Sequence, residues 1–170
     1  MVKEKDLNIL TGELLATYKY LLLHGFMHKR ITTEAYNRNF ETWNAILLSL
    51  EARLVLGFDR ILEHKQYFGR KFASDNLNNV VKRINNIRKK LIAHIDTSVA
   101  DREAFLEQNR FYGSEAIELV DALKRRAIAL HSALKDGKFG RLDVQALFNN
   151  ETKTTMDDLD SWLKSFSTPL

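Results

Sequence analysis

The chain of 170 residues has no cysteine, which removes disulfides, thiolate metal sites and cysteine nucleophiles together. Its only proline is Pro169 and it has seven glycines, too little turn chemistry for a β-sandwich or a barrel. No apolar run approaches the roughly 18 residues of a membrane span. The charged start Met1-Val2-Lys3-Glu4-Lys5-Asp6 lacks the apolar stretch of a signal peptide. What is present is 45% hydrophobic residues, ample for a core, and 26 Lys+Arg against 22 Asp+Glu, a net charge of +4. The expectation is a cytoplasmic, all-helical protein with no membrane segment.

The apolar residues fall at helical spacing. Leu7, Leu10, Leu14, Tyr18 and Leu21/Leu22 mark a first helix ending near Gly25 and Lys29-Arg30. Thr32-Thr33 can cap a second, whose stripe runs through Phe40, Trp43, Leu47, Leu50, Leu54, Phe58 and Ile61 until Gly69 interrupts. Ser74-Asp75 offers an N-cap for a third, with Leu77, Val80/Val81, Ile84, Ile87 and Leu91 as its apolar side. A polar connection follows from about Asp96 to Gly113, with room for a helical turn at Arg102–Leu106. Ser114-Glu115 starts a fourth helix with the stripe Ile117, Val120, Leu123, Ala127, Leu130 and Leu134, ended by Asp136-Gly137. Thr154/Thr155 and Asp157/Asp158 resemble a capping box for a last amphipathic helix bearing Met156, Leu159, Trp162, Leu163 and Phe166. This pattern predicts an all-α protein, an antiparallel four- to five-helix bundle over 1–142, followed by an acidic segment with a short amphipathic helix over 143–170. That last segment is net −3, which leaves +7 on the bundle.

Charge is most lopsided on the third helix. Between Asp75 and Asp96 there is no acid, while Lys82, Arg83, Arg88, Lys89 and Lys90 lie among five asparagines. Solvated helix faces ordinarily interleave signs to gain i,i+4 pairs. Two sources of counter-charge fit: a polyanion such as nucleic acid phosphate, or acids on neighbouring helices and the tail.

On a helix, Arg88 and His94 lie about 60° either side of Leu91 and about 9 Å apart along the axis, flanking the ridge that packs on a neighbour. An imidazole moves a proton near neutral pH and a guanidinium holds a phosphoryl oxygen bidentately. The pair therefore suits metal-free phosphodiester cleavage. The bare spacing carries little weight, because an arginine four to six residues before a histidine is expected about once by chance. It also occurs at Arg125/Arg126 and His131, near a helix end where the dipole favours cations. His24 and His28 have a chelating i,i+4 spacing, but no third ligand is evident and their place in a last turn also reads as capping. No metal or cofactor is expected. Glu-x-x-His pairs, phosphate-binding glycine loops and a Gly-x-Ser-x-Gly elbow are all absent from the sequence. The aromatics in helical register read as core, and Phe111-Tyr112 beside Arg110 is the one pair kept as a substrate contact.

The ten residues Ile87-Arg88-Lys89-Lys90-Leu91-Ile92-Ala93-His94-Ile95-Asp96 resemble the I-R-N-K-x-x-A-H-x-D signature of the HEPN superfamily. They are similar in particular to the branch related to abortive-infection proteins of the AbiU type. The expected helix order extends the likeness over roughly residues 5 to 135. The resemblance implies a HEPN-like homodimer with Arg and His lining a shared cleft, and a metal-independent endoribonuclease of phage defence or a toxin–antitoxin pair. Arg88 and His94 would be its catalytic pair and Asp96 a supporting polar residue. Lys82, Arg83, Lys89 and Lys90 would contact the RNA backbone. An antitoxin or a nucleotidyltransferase is the partner it implies. One position departs from the pattern. The residue after the arginine, commonly Asn, Asp or His, is Lys89, which can touch phosphate but cannot accept a hydrogen bond to orient Arg88 or His94. Two other readings stand beside this one: a non-catalytic helical dimer that binds a protein or nucleotide, and a basic nucleic-acid-binding module without chemistry.

Overall fold

The computed structural model describes residues 3–31, 33–68, 71–93, 104–105, 107–134 and 142–167. Among these residues there are seven helices and no strand: α1 (Glu4–Arg30), α2 (Thr33–Arg38), α3 (Phe40–Glu63), α4 (Lys65–Phe68), α5 (Asp75–Ala93), α6 (Gly113–Ala133) and α7 (Val144–Ser167). The expected all-α bundle is what forms.

Helices α1, α3, α5 and α6 close a ring in which α1 packs on α3, α3 on α5, α5 on α6 and α6 on α1. The contacts run in opposite chain directions. Thr17 meets Gly57 and His24 meets Glu51 across α1 and α3, while Arg83 reaches Glu115 and Asn76 reaches Glu118 across α5 and α6. Leu10, Leu14, Leu54, Phe58, Ile61, Val80, Ile84, Leu119 and Leu123 fill the interior. The short α4 turns Tyr67 and Phe68 inward, and Phe72 follows them. Tyr67 Oη then donates to Asp6 at 2.8 Å, tying this turn to the start of α1.

The helix ends follow local chemistry. α1 carries Glu4 and Asp6 in its first turn and His28, Lys29 and Arg30 in its last, complementing its dipole, and it continues straight through Gly25. Ser74 caps α5 as expected, its Oγ accepting from Leu77 N at 3.4 Å. Asn78 supports the same entry from within, exchanging 2.9 Å bonds with both the N–H and the carbonyl of Phe72.

Four expectations are corrected. The helix expected from Thr32-Thr33 through Ile61 is two, because Asn39 (φ −129°, ψ 39°) breaks it before Phe40. Its supposed core residue Phe40 is half exposed. The stripe of α6 keeps Val120, Leu123 and Ala127 as expected but differs at its ends: Ala116, Leu119 and His131 are buried, whereas Ile117 is 55% exposed. The last helix is 24 residues long and begins ten residues before the expected Thr154/Thr155 cap. Its true cap is Asp143, whose Oδ1 accepts from Ala146 N at 2.9 Å. Thr152 and the buried Thr155 occupy stripe positions between Phe148 and Leu159, and so hid the helical period.

α7 runs in the same direction as α1 and packs on α1 and α6. Tyr18 bonds Thr152 at 2.9 Å and its ring meets Phe148 at 5.0 Å, Lys19 pairs with Glu151 at 3.5 Å, and Arg30 with Asp160 at 3.8 Å. Val144 and Phe148 join the same apolar core as the ring of four. No helix among the described residues is long and apolar enough to cross a membrane.

The tightest approach in the fold is Gly57 on Thr17, where an added Cβ would overlap the threonine hydroxyl and sit 3.1 Å from both its carbons. Gly57→Ala gains up to about 1 kcal/mol of helix propensity but overpacks this contact at about 1–3 kcal/mol. A net loss of about 1–2 kcal/mol in urea unfolding is expected, with Thr17→Ala restoring most of it. An unchanged or raised midpoint in Gly57→Ala alone would show that α1 and α3 are not held this closely.

Candidate functional site

Of the five cations on α5, two are taken up by neighbouring helices. Arg88 points at α3, where its Nε lies 3.0 Å from Asp59 Oδ2 and its Nη2 lies 2.9 Å from Glu63 Oε1. Asp59 and Glu63 are one turn apart, so a single planar guanidinium spans both carboxylates. Asp59 is only 4% exposed and its Oδ1 has no hydrogen-bond partner. Burial pushes its carboxyl above the ordinary range, Arg88 pulls it back, and Glu63 adds a smaller push upward. The Arg88 side chain is 36% exposed, so the guanidinium reaches solvent as well as the carboxylates.

Arg83 points the other way, at α6. Its Nη1 donates to the Arg110 carbonyl and its Nη2 to Glu115 Oε1, each at 2.6 Å. The other Glu115 oxygen accepts from Tyr112 N at 2.8 Å, so the arginine holds the entry of α6 in place. Asn86 extends this fastening by donating to Asn109, which in turn donates to the Phe105 carbonyl. Residues 104–105 and 107–109 are helical, so the turn expected around Arg102–Leu106 is present among the described residues and continues past it. Phe111 packs edge-on against Phe58 at 6.4 Å, while Tyr112 is exposed.

Lys82 and Lys89 are exposed. Seven residues apart, they share one stripe of the helix with about 10 Å between them along its axis. Lys90 lies in α5, but its side chain falls outside the described residues, as do His94 and Asp96 altogether. The structure therefore brings Arg88 together with two acids that the sequence reading had not singled out. A signal for them was present. Asp59 is a lone acid directly after the apolar run Leu54–Phe58, on the side of the helix that has to be buried. Such an acid calls for a cation from another helix.

The other candidates resolve differently. His131 is 6% exposed and faces α1 rather than a cleft. The Thr11 hydroxyl gives its proton to the Leu7 carbonyl at 2.8 Å, so His131 Nε2 is the donor in their 2.9 Å contact. Burial lowers the His131 pKa, with Glu4 opposing weakly; it is a neutral core imidazole and not a dipole-stabilised cation. Arg126 lies 4.1 Å over the Phe72 ring and donates to the Lys71 carbonyl. The rings of His24 and His28 meet at 4.6 Å and His24 Nε2 lies 3.3 Å from Glu51. Among the described residues no group of three His, Asp or Glu side chains is arranged to hold a metal ion.

With this geometry in place, comparison with known sequences is informative. The sequence model of a HEPN family described as AbiU2 matches residues 7–155, a span that runs from the first turn of α1 through the first half of α7. No curated protein and no solved structure matches the chain.

Two measurements test the site as described. Arg88→Met removes the cation and leaves the buried Asp59 carboxylate without its partner. It should cost about 1–3 kcal/mol, less than breaking a fully buried pair because Arg88 is partly solvated. Glu63→Gln, at an exposed carboxylate, should stay within about 0.5 kcal/mol. Equal effects from the two would refute the assignment of Asp59 as the buried anchor. For His131, the folded pKa lies below its ordinary value of 6.5, so the unfolded chain takes up the proton first on acidification. Stability from this residue is complete above about pH 6.5 and is lost as the pH falls below it. The melting temperature of the wild type should fall more between pH 7.5 and 5.5 than that of His131→Gln; parallel slopes would contradict a buried neutral histidine.

Proposed function

The chain belongs to the HEPN AbiU2 family, and from that premise we propose that it acts in abortive infection as a metal-independent endoribonuclease. The observation that carries the reading is Arg88, in the family's signature, with its guanidinium fixed in orientation by Asp59 and Glu63 and still open to solvent. A cation held in one geometry before substrate arrives stabilises developing charge without the reorganisation that a free side chain needs. The two acids of α3 supply the hydrogen-bond acceptors that Lys89, in the signature, cannot.

In this reaction a ribose 2′-hydroxyl gives its proton to a base, O2′ bonds to phosphorus, and the P–O5′ bond breaks as O5′ takes up a proton. The products are a 2′,3′-cyclic phosphate and a 5′-hydroxyl. His94 is the proton-transfer group, as the base toward the 2′-hydroxyl or the acid toward O5′. Arg88 neutralises charge on the phosphoryl oxygens, and Asp96 is a supporting polar group. Lys82 and Lys89, on their exposed stripe, track the RNA backbone with Lys90. Arg83 supports them indirectly by anchoring the segment before α6. A second copy of the chain completes the cleft, and an antitoxin or nucleotidyltransferase is the regulatory partner.

A second reading is favoured by one feature of the same site. Arg88 already has carboxylates on both Nε and Nη2, as a purely structural ion pair would. On that reading the chain is a non-catalytic helical dimer for a protein or nucleotide partner.

Cleavage of a mixed RNA by the purified full chain in excess EDTA separates the two. The wild type should cut, and Arg88→Ala and His94→Ala should each lose about 100-fold or more while keeping the helical circular dichroism. A folded wild type that is inert on every RNA would remove the ribonuclease reading and promote the binding one.

A further inference from the structure

A second group of ionisable side chains gathers where the last turns of α1 pass the middle of α3. His24, its side chain 17% exposed, places Nε2 3.3 Å from Glu51 Oε1, and its ring stands edge-on to that of His28 at 4.6 Å. Arg110 arrives from the segment before α6. Its carbonyl is pinned by Arg83, the neighbouring Phe111 ring is packed on Phe58, and its guanidinium acts electrostatically on both Glu51 and His28. Stabilisation of the helix end accounts for His28, in the last turn of α1. It does not account for His24, six residues before that end, nor for an arginine brought in from a distant segment.

Among the described residues, three nitrogen-bearing groups therefore gather at one carboxylate, and that carboxylate is already partnered by His24. The hydrogen bond from His24 holds the Glu51 carboxyl below its ordinary range. His28 is pushed down by burial first and then by His24 and Arg110, against Glu51. An anion placed against these groups would favour the protonated His28 that burial and its two neighbours now disfavour. The geometry also says where one would come from. Glu51 and Asp59 lie on one helix, eight residues or about 12 Å apart, so a strand lying on Arg88 can extend to this cluster.

We propose that His24, His28 and Arg110, with Glu51 orienting His24, form a phosphate-binding subsite for the RNA backbone. The choice of RNA rests on the ribonuclease reading above; the anion site itself does not. The Cε1–H resonances of the five histidines, followed by NMR while inorganic phosphate is added to the full chain, report on it directly. His24 and His28 should shift saturably while the buried His131 stays still. Arg110→Ala should weaken phosphate about tenfold, with the backbone carbonyl used by Arg83 left in place. Glu51→Gln should tighten it, since the one opposing charge is gone. For a uridine oligonucleotide, Arg110→Ala should reduce the slope of log affinity against log salt by about one.

Phosphate that leaves His24 and His28 unmoved, or moves His131 equally, overturns the subsite. A phosphate effect with no change in the RNA salt slope overturns its assignment to RNA. A wild type that is inert on RNA but shows the histidine shifts removes the reaction and leaves the anion site standing.

Discussion

A carboxylate that is 4% exposed inside a helical bundle is an unfavourable group, and the arrangement of α3 and α5 turns on how Asp59 is accommodated. Alone it would be protonated or would force water into the core. Arg88 answers it from α5 at 3.0 Å and reaches Glu63 with its second nitrogen, which fixes the register of the two helices at one point. Apolar packing between α3 and α5 could slide by a turn at modest cost, whereas the ion pair cannot, because either shift leaves a buried charge unmatched. The same contact sets the direction of the guanidinium. The geometry that the core requires is thus also the one that the proposed phosphoryl-binding role of Arg88 would need.

The helical architecture was legible because its evidence is periodic and redundant. α1, α3, α5 and α6 each carry five or more apolar residues in step, so one misassigned position does not displace the element. Legibility failed where a polar residue holds an apolar position. Thr152 and Thr155 lie on the inner face of α7, and their hydroxyls are satisfied within the helix by Phe148 O and Glu151. In sequence Thr154/Thr155 resemble a cap, which places the start of the helix too late. His131 likewise takes the stripe position that Leu130 was expected to fill, made tolerable by Thr11.

The site was legible on one side only. Arg88 stood out through its signature and through the unbalanced charge of α5. Asp59 and Glu63 are more than twenty residues away on another helix, and no local spacing connects an acid to a cation at that separation. The asparagines of α5 were equally opaque. Asn76, Asn78 and Asn86 looked like part of a polar binding face, and each is hydrogen-bonded within the fold, to Glu118, to the Phe72 backbone and to Asn109.

This division bears on the two sources of counter-charge for α5. Neighbouring helices supply it for Arg83 and Arg88, through Glu115, Asp59 and Glu63. The acidic last segment was another candidate to cover the basic helix, but α7 lies along α1 and α6, and its ion pairs among the described residues run to Lys19 and Arg30. Those pairs satisfy cations on α1 and leave Lys82 and Lys89 exposed on α5. Neighbouring helices therefore account for the two arginines, and the two exposed lysines are left for the polyanion proposed above. The arginines, whose planar forks suit fixed carboxylates, were drawn into the fold, and Lys82 and Lys89, with their strongly hydrated heads, stayed in solvent. A polyanion arriving at α5 would meet two mobile lysines about 10 Å apart first. It would then meet one pre-set arginine, in the order that suits diffuse capture followed by fixed positioning.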